Sequence, residues 1–306
     1  MTGAAAVAVI FVPGIRAKPP PEVQRAQLAR CLEWSAHRAG ATAAESAALA
    51  GALELVPWSY GFYGTHEDIT PFMPGIEGIL ADTGDPEKDR REALAFGRRF
   101  TAAMYAIGDR YPLLGGVFAT RRMQTRLQEM NRYFLNEQGA AERIRSQLRD
   151  HLERAWQAGK SIVLVGHSFG SVIAYDTLWE LTHVAHDPRT VDFFVSMGSP
   201  LALRYIRERL LGSQGQGKER YPANIKRWLN LTAVGEVTAL GRKMANAYAE
   251  MPAFGLTEGI DDDLTLLNRF RGPAGINPHK CYGYFASDAA GAALLAWYRG
   301  NAMLDH

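Results

Sequence analysis

Residues 161–179 limit what this chain can fold into more than any other stretch. Ile162 to Val165 form a short unbroken apolar run, as expected of a strand buried on both faces of a parallel sheet. Gly166-His167-Ser168-Phe169-Gly170 follows, and Val172, Ile173, Leu178 and Trp179 then recur at helical spacing. The order is strand, sharp turn, helix, with a serine at the apex. A serine hydroxyl is a poor nucleophile until a base removes its proton. An apex lifts Ser168 out of the sheet edge, where a substrate and a base can both reach it. Gly166 and Gly170 have no Cβ, so strand and helix can approach closely around a strained residue. The helix N-terminus turns backbone N–H groups toward developing negative charge.

A G-x-S-x-G pattern set in strand–turn–helix resembles the nucleophile elbow of the α/β-hydrolase superfamily, specifically its lipase- and esterase-like serine hydrolases. The resemblance covers roughly residues 5–60 and 140–299. It implies an α/β-hydrolase fold: a mostly parallel central sheet flanked by helices, forming one domain over 1–306. A helical cap or lid inserted at 61–136 would cover the active site.

Composition narrows the remaining classes. The 306 residues carry 34 basic and 32 acidic side chains, a net charge of +2. That near-neutral balance argues against a nucleic-acid partner. Cys31 and Cys281 are too few for a disulfide framework and read as free thiols. No apolar run reaches membrane-spanning length, so no stable membrane insertion is expected. The apolar N-terminus lacks a positive n-region and continues into Phe11-Val12-Pro13-Gly14, so it reads as a strand rather than a signal peptide. The expected location is cytoplasmic, and composition leaves the oligomeric state open.

Taken in order, Ala6–Val12 is a buried strand, Glu22–Arg38 a helix stopped at Gly40, and Glu54–Tyr60 the next strand and its exit. Two helical patterns lie in the insertion. One carries Leu94, Phe100, Met104 and Ile107; the other carries Met123, Leu127, Met130 and Phe134. Arg98, Arg99, Arg121, Arg122 and Arg126 make it locally basic, either as a solvated face or as a surface for anionic lipid or a substrate carboxylate. Ile144–Trp156 is a helix ending at Gly159, Val191–Ser196 a strand, Leu201–Leu211 a helix, and Ile225–Val234 a strand. A last strand is expected near Gly275–Cys281, before a closing helix capped by Ser287.

The resembled superfamily presents its groups in the order serine, acid, histidine. Of the histidines after Ser168, His183 and His186 sit at a helix end and His306 at the terminus. His279 lies in a turn-rich loop just before the closing helix, where the family has its base. His167 adjoins the nucleophile but diverges from it on the elbow. The acid should follow the strand at 225–234, which points to Glu236; the rival is the Asp261-Asp262-Asp263 cluster, of a kind usually found in solvent-facing turns. The resemblance also implies an oxyanion hole from the N–H groups of Ile15, or alternatively Arg16, and Phe169. Arg16, His167, Tyr60, Phe62 and Ser199 are candidate substrate contacts. Trp58, Tyr63 and Phe72 add aromatic surface that suits an apolar acyl pocket or the core equally.

The expected activity is hydrolysis of a small-molecule carboxylic ester or lipid through a Ser168–His279–Glu236 triad and an acyl-enzyme, with no metal or organic cofactor. An acyltransferase, thioesterase or (phospho)lipase could use the same triad. A non-catalytic binding protein on this scaffold would be expected to have lost a triad member.

Overall fold

The computed structural model describes residues 6–95, 121–237 and 243–302. Its first strand, β1 (Val7–Val12), is buried at every position, as its unbroken apolar sequence requires. Helix α1 (Pro21–Arg38) begins with proline in its first turn, where the missing N–H costs no bond. Helix α2 (Ala43–Gly51) starts at a capping box in which Thr42 and Glu45 exchange bonds. Strand β2 (Leu53–Leu55) is shorter than its apolar sequence suggests. The aromatic run after it coils into α3 (Trp58–Tyr63).

Three further helices lie in the described parts of 61–136: α4 (Met73–Leu80), α5 (Pro86–Ala93) and α6 (Arg121–Phe134). Leu94 falls just past α5, and the rest of the helical pattern expected to follow it lies outside the described residues. Helix α7 (Ala140–Gln157) leads into β3 (Ser161–His167), and α8 (Gly170–His183) follows the turn at Ser168. Strand β4 (Val191–Met197) is succeeded by one short helix, α9 (Arg204–Arg207), rather than a helix over 201–211. Strand β5 (Ile225–Ala233) matches the expected span to within a residue.

The last strand is not where the sequence suggested. It is β6 (Gly259–Leu266), which contains the three aspartates read as a turn. The stretch expected to be a strand instead forms half of a short hairpin, β7 (Arg271–Gly272) with β8 (Gly275–Ile276), and then α12 (Cys281–Phe285). Between β5 and β6 lie α10 (Met244–Ala247) and α11 (Glu250–Ala253). The closing helix is α13 (Asp288–Ala302), whose Ala290 N–H donates to Ser287 Oγ.

All six main strands are parallel, in the order β2-β1-β3-β4-β5-β6. Alternate residues of β1 and β3 supply two separate cores. Ala8, Ile10, Val12, Ile162 and Leu164 pack against Leu148 and Leu152 of α7 and Ile173 of α8. Val9, Phe11, Val163 and Val165 pack against Leu28 and Leu32 of α1 and Leu294 of α13. The chain leaves β1 for β2 on one side and returns to β3 on the other. The carboxyl ends of β1 and β3 therefore flank a topological switch point, where open parallel sheets leave a crevice.

Beside this crevice, α6 is tied to α8 by a buried polar pair. Tyr133 donates to Asp176 Oδ2 at 3.1 Å, and the Leu211 N–H donates to Oδ1 at 2.9 Å. Burial pushes the Asp176 carboxyl up to about 7, opposed by the Leu211 N–H and the nearby Arg145 charge. A carboxyl raised in the fold stays protonated there after it has ionised in the unfolded chain. Its contribution to stability is therefore complete below about pH 4 and is lost as pH climbs to about 7. Asp176→Asn removes that loss. In urea titrations across this range, the variant should gain on the wild type as pH rises, by on the order of 3 kcal/mol. A difference independent of pH would refute the assignment.

Candidate functional site

Ser168 sits at the carboxyl end of β3 with φ +54°, a left-handed conformation rare for a residue with a side chain. Two features hold it. Its N–H donates to Met197 O at 2.8 Å, and Ser171 Oγ donates to its carbonyl at 2.6 Å. The turn closes only because its neighbours are glycines. A Cβ on Gly170 would lie 2.1 Å from Val12 O, and one on Gly14 would lie 2.9 Å from Ser168 Cβ.

His279, on the loop between β8 and α12, reaches this serine. Its Nε2 lies 3.0 Å from Ser168 Oγ, and its Nδ1 lies 2.7 Å from Glu236 Oε2. A carboxylate only accepts, so the ring proton belongs on Nδ1 and Nε2 is left to accept from the serine. Glu236 is buried on the turn after β5. Tyr284, fully buried on α12, accepts from the Ala233 N–H at 3.0 Å. Its own proton is therefore free for Glu236 Oε2, 3.3 Å away.

The rival aspartates are engaged elsewhere. Asp262 accepts from Asn230 Nδ2 at 2.8 Å and from the N–H groups of Met244 and Ala245, which open α10. Asp263 accepts from Thr265, and Asp261 faces Arg227 at 3.5 Å. None of the three has the short contact to His279 that Glu236 makes.

The His167 ring lies 4.9 Å, centre to centre, from that of His279. It is buried, and its Nε2 donates to His279 O at 2.7 Å. Burial first, and then the neighbouring His279 ring, push this imidazole well below its ordinary range, so it is neutral. Ser199 is also fully buried. Its Oγ lies 2.6 Å from Ser171 Oγ and accepts from the Leu201 N–H at 3.2 Å. Phe62 packs in the core under the Arg132 guanidinium, 4.2 Å from its ring centre. Tyr60 is exposed and stacks on His66.

The loop after β1 is anchored atom by atom. Trp58 Nε1 donates to Pro13 O at 2.8 Å. Lys18 Nζ donates to Ile15 O at 2.7 Å and Arg16 O at 3.1 Å. The Arg16 N–H donates to Tyr63 Oη at 2.7 Å. The Arg16 N–H is thus occupied. Phe169 is the N-cap of α8, where the first N–H groups have no helical acceptor. Its ring meets Tyr133 and Phe134 of α6 edge-on, at 5.2 and 5.6 Å between centroids.

Reading the sequence missed Lys18 and Tyr284, and it took Trp58 and Tyr63 only as aromatic surface, not as the side chains that anchor this loop. It also gave no role to Gly198. Gly198 has φ +55°, and a Cβ there would lie 2.9 Å from Tyr284 Oη, 3.1 Å from Glu236 Oε2 and 3.3 Å from His279 Nδ1. Among the described residues, no cluster of three or more His, Cys, Asp or Glu side chains could hold a metal, and no helix is long and apolar enough to cross a membrane.

Comparison with known proteins adds nothing to this geometry: no family model, curated protein or solved structure matches the chain.

Gly198→Ala tests the packing around the carboxylate–imidazole bond. A side chain at this φ costs about 1–2 kcal/mol, and the methyl must displace Glu236 or Tyr284. Proton NMR of the wild type should show a strongly downfield His279 Nδ1–H signal. That signal should shift or vanish in Gly198→Ala, in a protein that still unfolds cooperatively. An unaltered signal would mean that Gly198 does not hold the pair together.

Proposed function

We propose that this chain is a serine hydrolase of the α/β-hydrolase type, cleaving carboxylic esters through Ser168, His279 and Glu236. The observation that carries the reading is the His279 imidazole, bonded through one nitrogen to Glu236 and through the other to Ser168. The chain order supports it as well: serine after β3, carboxylate after β5 and histidine after β6.

In this reading His279 Nε2 takes the Ser168 proton as Oγ attacks the ester carbonyl. Glu236 keeps the Nδ1 tautomer and offsets the charge of the imidazolium. The Ile15 and Phe169 N–H groups hold the tetrahedral oxyanion. His279 then returns the proton to the leaving alcohol, and an acyl group remains on Ser168. Water, deprotonated by His279, releases the acid and restores the serine. Helix α6, packed on Phe169, belongs to the cap over this site.

A fluorophosphonate probe should label the folded protein, and Ser168→Ala should abolish labelling. A series of 4-nitrophenyl esters of rising chain length would then size the acyl pocket. Glu236→Gln should lower kcat by roughly a thousandfold, because the amide favours the wrong tautomer, while thermal unfolding stays cooperative. Well-folded wild-type protein that neither takes the probe nor cleaves any ester would overturn the reading.

A further inference from the structure

Three cations converge on the two loops that flank Ser168, and none has a carboxylate partner among the described residues. Arg16 is exposed, and its guanidinium makes no ion pair there. Lys18 is half-buried, with its ammonium on the carbonyls of Ile15 and Arg16. Lys280 follows His279 directly, and its Nζ lies 3.0 Å from the centre of the Phe72 ring. Lys18 feels the charges of both Lys280 and Arg16, and Lys280 feels that of Arg16. Glu67 is the carboxylate that both lysines sense, yet it forms no ion pair within 4.0 Å in the described structure.

Four other partly buried arginines are paired with carboxylates. Arg145 and Arg149 close on Glu180, and Arg269 and Arg271 close on Asp89. Near Ser168 the lysines rest on carbonyls and a ring face, with no carboxylate within 4.0 Å among the described residues. Burial pulls the Lys18 ammonium down to about 8, with Lys280 and Arg16 acting in the same direction. Gathering uncompensated positive charge in a partly desolvated place opposes folding unless an anion completes the site. The position specifies which anion. Arg16 and Lys18 belong to the loop whose Gly14 touches Ser168, and Lys280 belongs to the loop that carries His279.

We propose that the ester cleaved at Ser168 carries an anionic group, a carboxylate or phosphate a few bonds from the scissile carbonyl, bound by Arg16, Lys18 and Lys280. This rests on the serine-hydrolase reading.

Two matched substrate pairs test it. Mono-4-nitrophenyl glutarate against 4-nitrophenyl valerate places the charge on the acyl side. Acetylated glycerol 3-phosphate against acetylated glycerol places it on the alcohol side. In one pair the wild type should favour the charged member by roughly tenfold or more in kcat/KM. That preference should shrink with added salt, and Lys280→Gln should cut the ratio several-fold. Ratios near or below one in both pairs would overturn the proposal. So would a Lys280→Gln defect equal for charged and neutral esters, because the cations would then serve the oxyanion of any substrate. Calorimetric titration of Ser168→Ala with glutarate and inorganic phosphate separates the two ideas. Anion binding that Lys280→Gln weakens, when the wild type takes no fluorophosphonate, would sink the hydrolase reading and leave the anion site standing. Labelling without either binding or preference would sink the anionic substrate alone.

Discussion

The structure depends on one strained residue and the space cleared around it. Ser168 at φ +54° is an unfavourable conformation of about 1–3 kcal/mol, which persists only where the surroundings determine it from several sides. Strand β4 accepts its N–H, Ser171 binds its carbonyl, and β1 presses on the following turn through Val12 and Pro13. The contacts from β1 and β4 require β3 to lie between them in a parallel sheet, with a core on each face. The alternation of Ala8, Ile10 and Val12 against Val9 and Phe11 builds those two cores at once.

Around that serine, polar groups are held by partners distant in sequence. Trp58, Lys18 and Tyr63 fix Pro13, Ile15 and Arg16 of the loop after β1. His167 holds the backbone of His279, while Glu236, itself bonded by Tyr284, holds its ring. Donors and acceptors are matched so that the protons have assigned places: Tyr284 accepts from a backbone N–H and donates to the carboxylate, and the imidazole donates to the carboxylate and accepts from the serine. Orientation established before a substrate arrives is what the proposed chemistry demands, because it removes reorganisation from the reaction step.

The acidic residues divide by environment. Glu236 is buried beside Tyr284 and His279. Asp262 ends a buried polar chain in which Trp228 donates to Ser196, Ser196 to Asn230, and Asn230 to the aspartate. It also caps α10, so it pins an edge strand and a helix start together. Asp261 and Asp263 lie on the half-exposed side of the same strand.

The sequence by itself determined whatever depends on neighbours along the chain. The run Ile162–Val165, the glycine-flanked Ser168 and the apolar spacing of α8 define strand, turn and helix locally. Ser287 marks the start of the closing helix by a bond three residues long. Chain order after the serine was enough to single out His279 and Glu236 as candidates. Only the tertiary structure decided β6, because Gly-Ile-Asp-Asp-Asp has the composition of a turn. Asp261 and Asp262 meet Arg227, Asn230 and the α10 N-terminus, none of them a near neighbour in sequence, and only Asp263 bonds locally, to Thr265. The same holds for Trp58, Tyr63, Lys18, Tyr284 and Gly198. Their effect lies in one hydrogen bond or one clearance across the fold, and such a contact leaves no periodicity in the chain.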